Sequence, residues 1–221
     1  HTKYIDPMLM MCLEDDPIQE FNRIKQIHLE YCKQNQDKVE YQKKDKIRVG
    51  YFSNSFYKHS SLIIFSRIIE LHNKDEFEIY IYDFGYHEED DYTKRIKAIV
   101  NQYKIVKKYS DPELIQLARE DQIDIAFDLM GYTKNNRAKI FSKRLAPIQV
   151  SYLDWPGGTG NKSIDYLIAD QTLIPPEDEK FYVEKILRMP HSHQPSDDTL
   201  VKSSKTFYRS DLGISDDSFV F

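Results

Sequence analysis

Apolar positions along this chain change period several times, and each change marks an element. Asp16-Pro17 has the form of a helix start, with a side-chain cap followed by proline at the first helical position. Ile18, Phe21, Ile24, Ile27, Leu29 and Tyr31 then recur at helical spacing. Gln34 to Lys46 is polar and reads as a linker. Beyond it, strand and helix patterns alternate. Ile47–Ser53 is predicted as a strand and Leu62–Leu71 as a helix apolar on most sides. Phe77–Phe84 has period two, with Phe77, Ile79 and Ile81 on one face and Glu78, Tyr80 and Tyr82 on the other. The pattern continues with a helix over Tyr92–Val100, a strand over Lys104–Lys108, and a helix from Asp111-Pro112 to Glu120. A strand over Ile123–Leu129, a short helix over Asn136–Ser142 and strands over Ile148–Leu153, Asp165–Asp170 and Lys185–Met189 follow.

Such alternation implies βαβ units. The expected class is α/β: a Rossmann-like, mostly parallel sheet with helices on both faces. No internal repeat is evident. Asp217 to Phe221 has the look of a further strand just beginning, which suggests a fragment of something longer.

Composition narrows the function classes. The chain has 221 residues and a net charge of −5, so it is a poor candidate for wrapping nucleic acid or lying on anionic lipid. Lys43, Lys44 and Lys46, and Lys107 with Lys108, read as solvated surface. Met8 to Leu13 is apolar but far shorter than the roughly 18 residues a membrane span requires, and the start lacks a signal-peptide core. Cys12 and Cys32 form no C-x-x-C unit and read as buried free thiols, so the chain is expected to be cytoplasmic.

Candidate chemistry gathers in loops that follow strands, where open α/β sheets bind ligands. His59 ends the segment G-Y-F-S-N-S-F-Y-K-H and precedes a helix. At the positive end of a helix dipole a neutral ring, able to accept a proton or a hydrogen bond, is favoured; the plainer reading is a capping or surface histidine. Gly131-Tyr132-Thr133 closes the central strand, with hydroxyls suited to a sugar, or is an ordinary turn. Lys134 and Arg137 suit phosphate or an acidic partner. Pro156-Gly157-Gly158-Thr159-Gly160 is a glycine-rich loop that could present N–H groups to an anion, but it matches neither a Walker A nor a G-x-G-x-x-G pattern. His191-Ser192-His193 lacks a third metal ligand and reads as a turn, so no metal is expected. Glu88 to Asp91, like Asp15 and Asp16, reads as helix N-terminal charge.

Together Gly50–His59, Asp128–Gln149, Leu153–Gly160, Ile164–Asp170 and Met189–Asp197, in this order and spacing, resemble the catalytic region of the O-linked N-acetylglucosamine transferase and SPINDLY-like family. The resemblance implies a GT-B architecture of two Rossmann-like lobes. It also implies inverting sugar transfer from a nucleotide donor to Ser or Thr of a protein, with N-acetylglucosamine or, in SPINDLY-like members, fucose as the sugar. Residues 1–45 would be a helical connecting segment and 46–221 the N-terminal lobe. The lobe supplying most of the UDP pocket would be missing, so no cofactor is implied beyond a UDP-sugar substrate shared with that lobe, and the partner would be a protein or peptide acceptor.

Carried over by position, His59 matches a cleft histidine in contact with substrate. Tyr132, Thr133 and Leu153 match residues near the donor, and Pro147 and Gln149 match an A-P-I-Q segment. Lys134, Pro156 and Gly157 complete the expected substrate-binding set. Two positions depart from the family: Ser55 stands where many members have aspartate, and Asp154 where glycine is usual. These departures motivate a second reading, a non-catalytic interaction module that keeps the lobe fold. A generic nucleotide binder is a third, without a glycine fingerprint to support it.

Overall fold

The computed structural model describes residues 7–13, 16–31, 38–201 and 204–220. The sequence readings that fall on residues 1–6, Asp15, Cys32, residues 34–37 and Phe221 lie outside them. Two N-terminal helices, α1 (Pro7–Met11) and α2 (Pro17–Tyr31), precede the sheet. The alternating part runs β1 (Ile47–Ser53), α3 (Ser60–Leu71), β2 (Phe77–Asp83), α4 (Asp91–Ile99), β3 (Gln102–Ile105), α5 (Asp111–Glu120), β4 (Ile125–Asp128), β5 (Ile148–Ser151), β6 (Tyr166–Ala169) and β7 (Lys185–Arg188).

The strands form one sheet in the order β3-β2-β1-β4-β5-β6-β7, and every pairing is parallel. Strand order reverses between β1 and β4. Both faces of the sheet are covered, so the period-two pattern of β2 divides two cores rather than core from solvent. Ile79 and Ile81 join Val49, Tyr51, Leu62, Phe65, Ile69 and Ile96 under α3 and α4. Tyr80 and Tyr82 join Phe52, Leu114, Ala118, Ile140 and Phe141 on the opposite face under α5.

Most predicted elements are present, with local corrections. β3 starts two residues and ends three residues earlier than predicted, and β4 starts at Ile125 rather than Ile123. The expected helix over Asn136–Ser142 is a 3-10 helix over Ala138–Lys143. α5 is capped by Ser110, whose hydroxyl accepts from the Glu113 N–H in a capping box, so Asp111 sits in the first turn rather than at the cap. Residues 217–220 are not strand. Cys12 is exposed rather than buried, because the short α1 buries only Met10. Asp16 does cap α2, accepting from the N–H groups of Ile18 (2.9 Å) and Gln19 (3.1 Å). Among the described residues no helix is long and apolar enough to cross a membrane.

Candidate functional site

Three loops meet where the strand order reverses, at the carboxyl ends of β1, β4 and β5. This is the crevice in which doubly wound sheets place ligands. The first loop runs from Asn54 to His59, the second from Leu129 to Arg137, and the third from Tyr152 to Gly160.

His59 caps α3 with extended backbone, and its Nδ1 faces the Ser61 N–H at 3.3 Å and the Ser61 hydroxyl at 2.9 Å. Its Nε2 has no hydrogen-bond partner among the described residues. Ser61 also interacts with the carboxylate of Asp154, whose ionisation is disfavoured by burial and favoured by Ser61 and His59. Asp154 is fixed through its backbone N–H, which donates to Leu129 O at 3.3 Å. Its carboxylate is therefore shared with the His59 side of the crevice, and His59, Ser61 and Asp154 form one connected group. Asp90, which caps α4, also accepts from the Lys58 N–H at 2.5 Å and holds the first loop in place.

Asp128 shapes the second loop. It is buried, and its Oδ1 accepts from the N–H groups of Met130 and Gly131, each at 3.0 Å. Desolvation raises its pKa to about 6 against the pull of those two N–H groups, and the nearby Asp154 charge adds to the rise. The folded value thus lies above the ordinary one, and the folded chain holds a proton that the unfolded chain lacks between about pH 4 and 6. This group therefore adds stability as pH falls through that window and removes it as pH rises. Asp128→Asn keeps an acceptor for both N–H groups and is expected to flatten that part of the pH profile. The change should be on the order of 1–3 kcal/mol between pH 4 and 7. Urea melts of both proteins at several pH values measure it, and parallel profiles would refute the assignment.

The predicted hydroxyls of the second loop are committed to the protein. Tyr132 Oη donates to Thr159 O at 2.7 Å, and Thr133 Oγ1 donates to Met130 O at 2.9 Å. Both brace the crevice and retain only acceptor capacity toward a ligand. Lys134 is exposed, and its carbonyl accepts from the Asn54 amide at 3.1 Å. Arg137 is paired with Asp111 through Nε (2.8 Å) and Nη2 (2.5 Å), which removes it from the expected phosphate contacts.

The third loop is tightly held. Leu153 adopts φ of 91°, a left-handed conformation rare for a bulky side chain and typical of functional turns. Trp155 packs with Ile24 and Ile27 of α2 and donates from Nε1 to Gly158 O at 3.0 Å. Pro156 is half-buried and Gly157 buried, next to the Glu20 carboxylate of α2. Gly160, at φ of 63°, lies against the Ile24 backbone. Thr159 is anchored by Glu184, which accepts from its N–H at 2.8 Å and also bonds its hydroxyl. Burial raises the Glu184 pKa despite these bonds. The second departure, Ser55, is buried, with its hydroxyl donating to Asn54 Oδ1 at 2.7 Å.

Pro147 and Gln149 lie at the opposite end of β5. Gln149 is fully buried and bridges Leu145 N, Phe141 O and Ser163 O, so it is a packing residue. His193 is also fixed: its N–H donates to Asp170 Oδ2 at 2.7 Å and its Nδ1 pairs with the same oxygen at 2.8 Å. These bonds and the Leu173 N–H hold the Asp170 carboxyl well below the usual range. No group of three His, Cys, Asp or Glu suited to a metal exists among the described residues. Hydrogen bonds and ring contacts thus tie His59 to Asp154 through Ser61, and Tyr132 to Thr159 and Trp155, while Thr133 braces its own loop and Gly157 lies against the Glu20 side chain of α2. Sequence reasoning missed Ser61, Asp128 and Glu184, while Asp90 bears out the reading of Glu88 to Asp91 as helix N-terminal charge; for Asp128 the only available signal was a carboxylate at the end of an apolar strand.

Fold and crevice define a Rossmann-like lobe with its ligand edge at the β1/β4 reversal. The sequence profile of glycosyl transferase family 41 matches residues 17–202, and the chain belongs to that family. It is 32% identical over 182 residues to the probable UDP-N-acetylglucosamine–peptide N-acetylglucosaminyltransferase SEC of Arabidopsis thaliana, covering 80% of this chain and 18% of that protein. It is 31% identical over 153 residues to the probable enzyme of the same activity, SPINDLY, of Oryza sativa subsp. japonica, covering 65% of this chain and 16% of that protein. Among solved structures, an O-GlcNAc transferase of Thermobaculum terrenum, the K341M mutant, superposes with a TM-score of 0.75 at 29% identity, covering 81% of this chain and 35% of that one. The chain therefore spans about a fifth or less of the curated relatives, and about a third of the solved one.

Proposed function

We propose that this chain is the acceptor-side lobe of a nucleotide-sugar-dependent protein O-glycosyltransferase that transfers N-acetylglucosamine to Ser or Thr with inversion. The observation that carries the reading is the convergence of the His59 loop, the Gly131 loop and the glycine-rich loop on one crevice in a family 41 chain. In a two-lobed enzyme the donor would lie along the β4 and β5 loops, with the acceptor hydroxyl brought beside His59. Holding both in register supplies much of the acceleration. With Nδ1 accepting from the Ser61 N–H, the neutral ring carries its proton on Nε2, which is placed to donate a hydrogen bond to the acceptor hydroxyl or the donor sugar, while Ser61 and Asp154 orient the ring from its other side. Charge on the departing nucleotide would be met chiefly by the second lobe. The reading also includes a cytoplasmic setting.

The test joins this chain to the nucleotide-binding lobe of the full-length protein and supplies UDP-N-acetylglucosamine, UDP-glucose or GDP-fucose with Ser/Thr peptides. Transfer from the first donor, with a β-linked product by NMR, is expected; the 221 residues alone should neither turn over nor bind the donor tightly. No transfer from any donor favours the interaction module. That second reading draws on the Asp154 carboxylate in the crevice and the committed Tyr132 and Thr133 hydroxyl protons.

A further inference from the structure

A cavity of about 410 Å³ opens on the β1–β2–β3 side of the strand reversal, away from the glycine-rich loop. Its walls come from the ends of four strands, and Tyr57, Tyr86, Lys107, Tyr109, Asn135 and Arg137 reach into it. It is contiguous with the reacting edge, because the Tyr57 ring stands 5.5 Å from the His59 ring. On its other side Tyr57 stacks on His87 at 4.7 Å, which fixes its orientation. Tyr86 is 82% exposed and Tyr109 43% exposed, so two aromatic faces at the mouth are uncovered.

The charges at the mouth are unequal. Arg137 is neutralised by Asp111. Lys107 has no carboxylate partner among the described residues; its ammonium lies 5.7 Å from the Tyr86 ring centre, and its carbonyl accepts from Tyr86 Oη at 3.0 Å. A phosphate is a poor occupant. The N–H groups at the adjoining start of α5 are taken up by the Ser110–Glu113 capping box, and Arg137 is spent on Asp111, so a doubly charged phosphate would find a single ammonium. One ammonium without a carboxylate partner among the described residues, beside the exposed Tyr86 ring and polar amides, suits an extended peptide carrying a carboxylate and an apolar or aromatic neighbour.

We infer that this cavity is a specificity subsite for the acceptor peptide, taking an acidic side chain that flanks the reacting hydroxyl on Lys107 and its neighbour on Tyr86 and Tyr109. The inference rests on the transferase reading for the identity of the peptide as acceptor. The geometry separates the two substrates: donor on the β4–β5 side of His59, acceptor flank on the β2–β3 side.

The experiment uses two fluorescent 12-residue peptides with a single serine, identical except that glutamates flank it in one and lysines in the other. Anisotropy titrations into this chain at low salt should show the glutamate peptide binding about two- to fivefold more tightly, the range of one exposed ion pair. Lys107→Glu should reverse the order, and Tyr86→Ala should weaken both peptides. In the two-lobed protein, Lys107→Glu should raise KM for the glutamate peptide and leave peptide-independent hydrolysis of the nucleotide sugar unchanged. A preference absent from the native chain, or unaltered by Lys107→Glu, overturns the subsite while sparing the transferase reading. A native two-lobed protein that selects the glutamate peptide but cleaves no nucleotide sugar overturns the transferase reading and leaves the cavity as a peptide site.

Discussion

Gly131→Ala is expected to destabilise the lobe by about 2–5 kcal/mol and to open the crevice. Two effects add. Gly131 holds φ of 53°, and a Cβ there would overlap Cβ and Cγ of Trp155. Left-handed backbone costs a non-glycine residue roughly 1–2 kcal/mol, and forcing volume into a packed site costs a further 1–3 kcal/mol or so. Trp155 cannot retreat cheaply, because it is buried against Ile24 and Ile27 of α2. Gly213 supplies the control. It has φ of 67°, yet a Cβ there would meet nothing within 4 Å, so Gly213→Ala should show the backbone effect alone. Urea melts of the two variants should differ by the packing contribution. Equal losses would show that Trp155 does not crowd this turn.

The second large effect concerns His59, where the capping and cleft readings describe one ring. His59→Ala should cost about 1 kcal/mol through loss of the α3 cap. On the transferase reading it should also lower transfer by the two-lobed protein on the order of 10²-fold, the usual scale for a well-placed hydrogen bond to the reacting groups. His59→Asn separates the roles, since asparagine is a good cap without an imidazole. It should restore the melt and leave transfer low. Full activity in His59→Asn would reduce His59 to a cap, and an unfolded His59→Asn would contradict the geometry at Ser61.

These two residues show what was legible in the sequence. β1 and α3 could be read closely because a strongly apolar stretch is followed by a loop and a capped helix. β3 was misplaced because it is an edge strand, paired only with β2, and its Gln-Tyr-Lys-Ile sequence is less apolar than the Val106 that follows it. Val106 is buried without being strand. The loops of the site were legible by position, whereas the partners of their side chains were not. Nothing in the spacing of Ser61 and Asp154 announces that they meet, and nothing in Gly-Tyr-Thr says that both hydroxyl protons are spent on carbonyls. The exposed Cys12 was misjudged because four of its near neighbours are Met8, Leu9, Met10 and Met11, of which only Met10 is buried.

The reversal of strand order also bears on how the chain is made. β1 pairs with β2 through Val49 and Ile79, and with β4 through Val49 and Ile125. A ribosome delivers β1, β2 and β3 well before β4 exists. During that interval the β1 edge carries unpaired backbone N–H and carbonyl groups beside Tyr51 and Phe52, which is a template for pairing with another nascent chain. Parallel pairing across such separations is slow to form. Pauses in translation between Asp83 and Ile125 should therefore raise the aggregated fraction, and a holdase bound to the emerging β1–β3 unit should lower it.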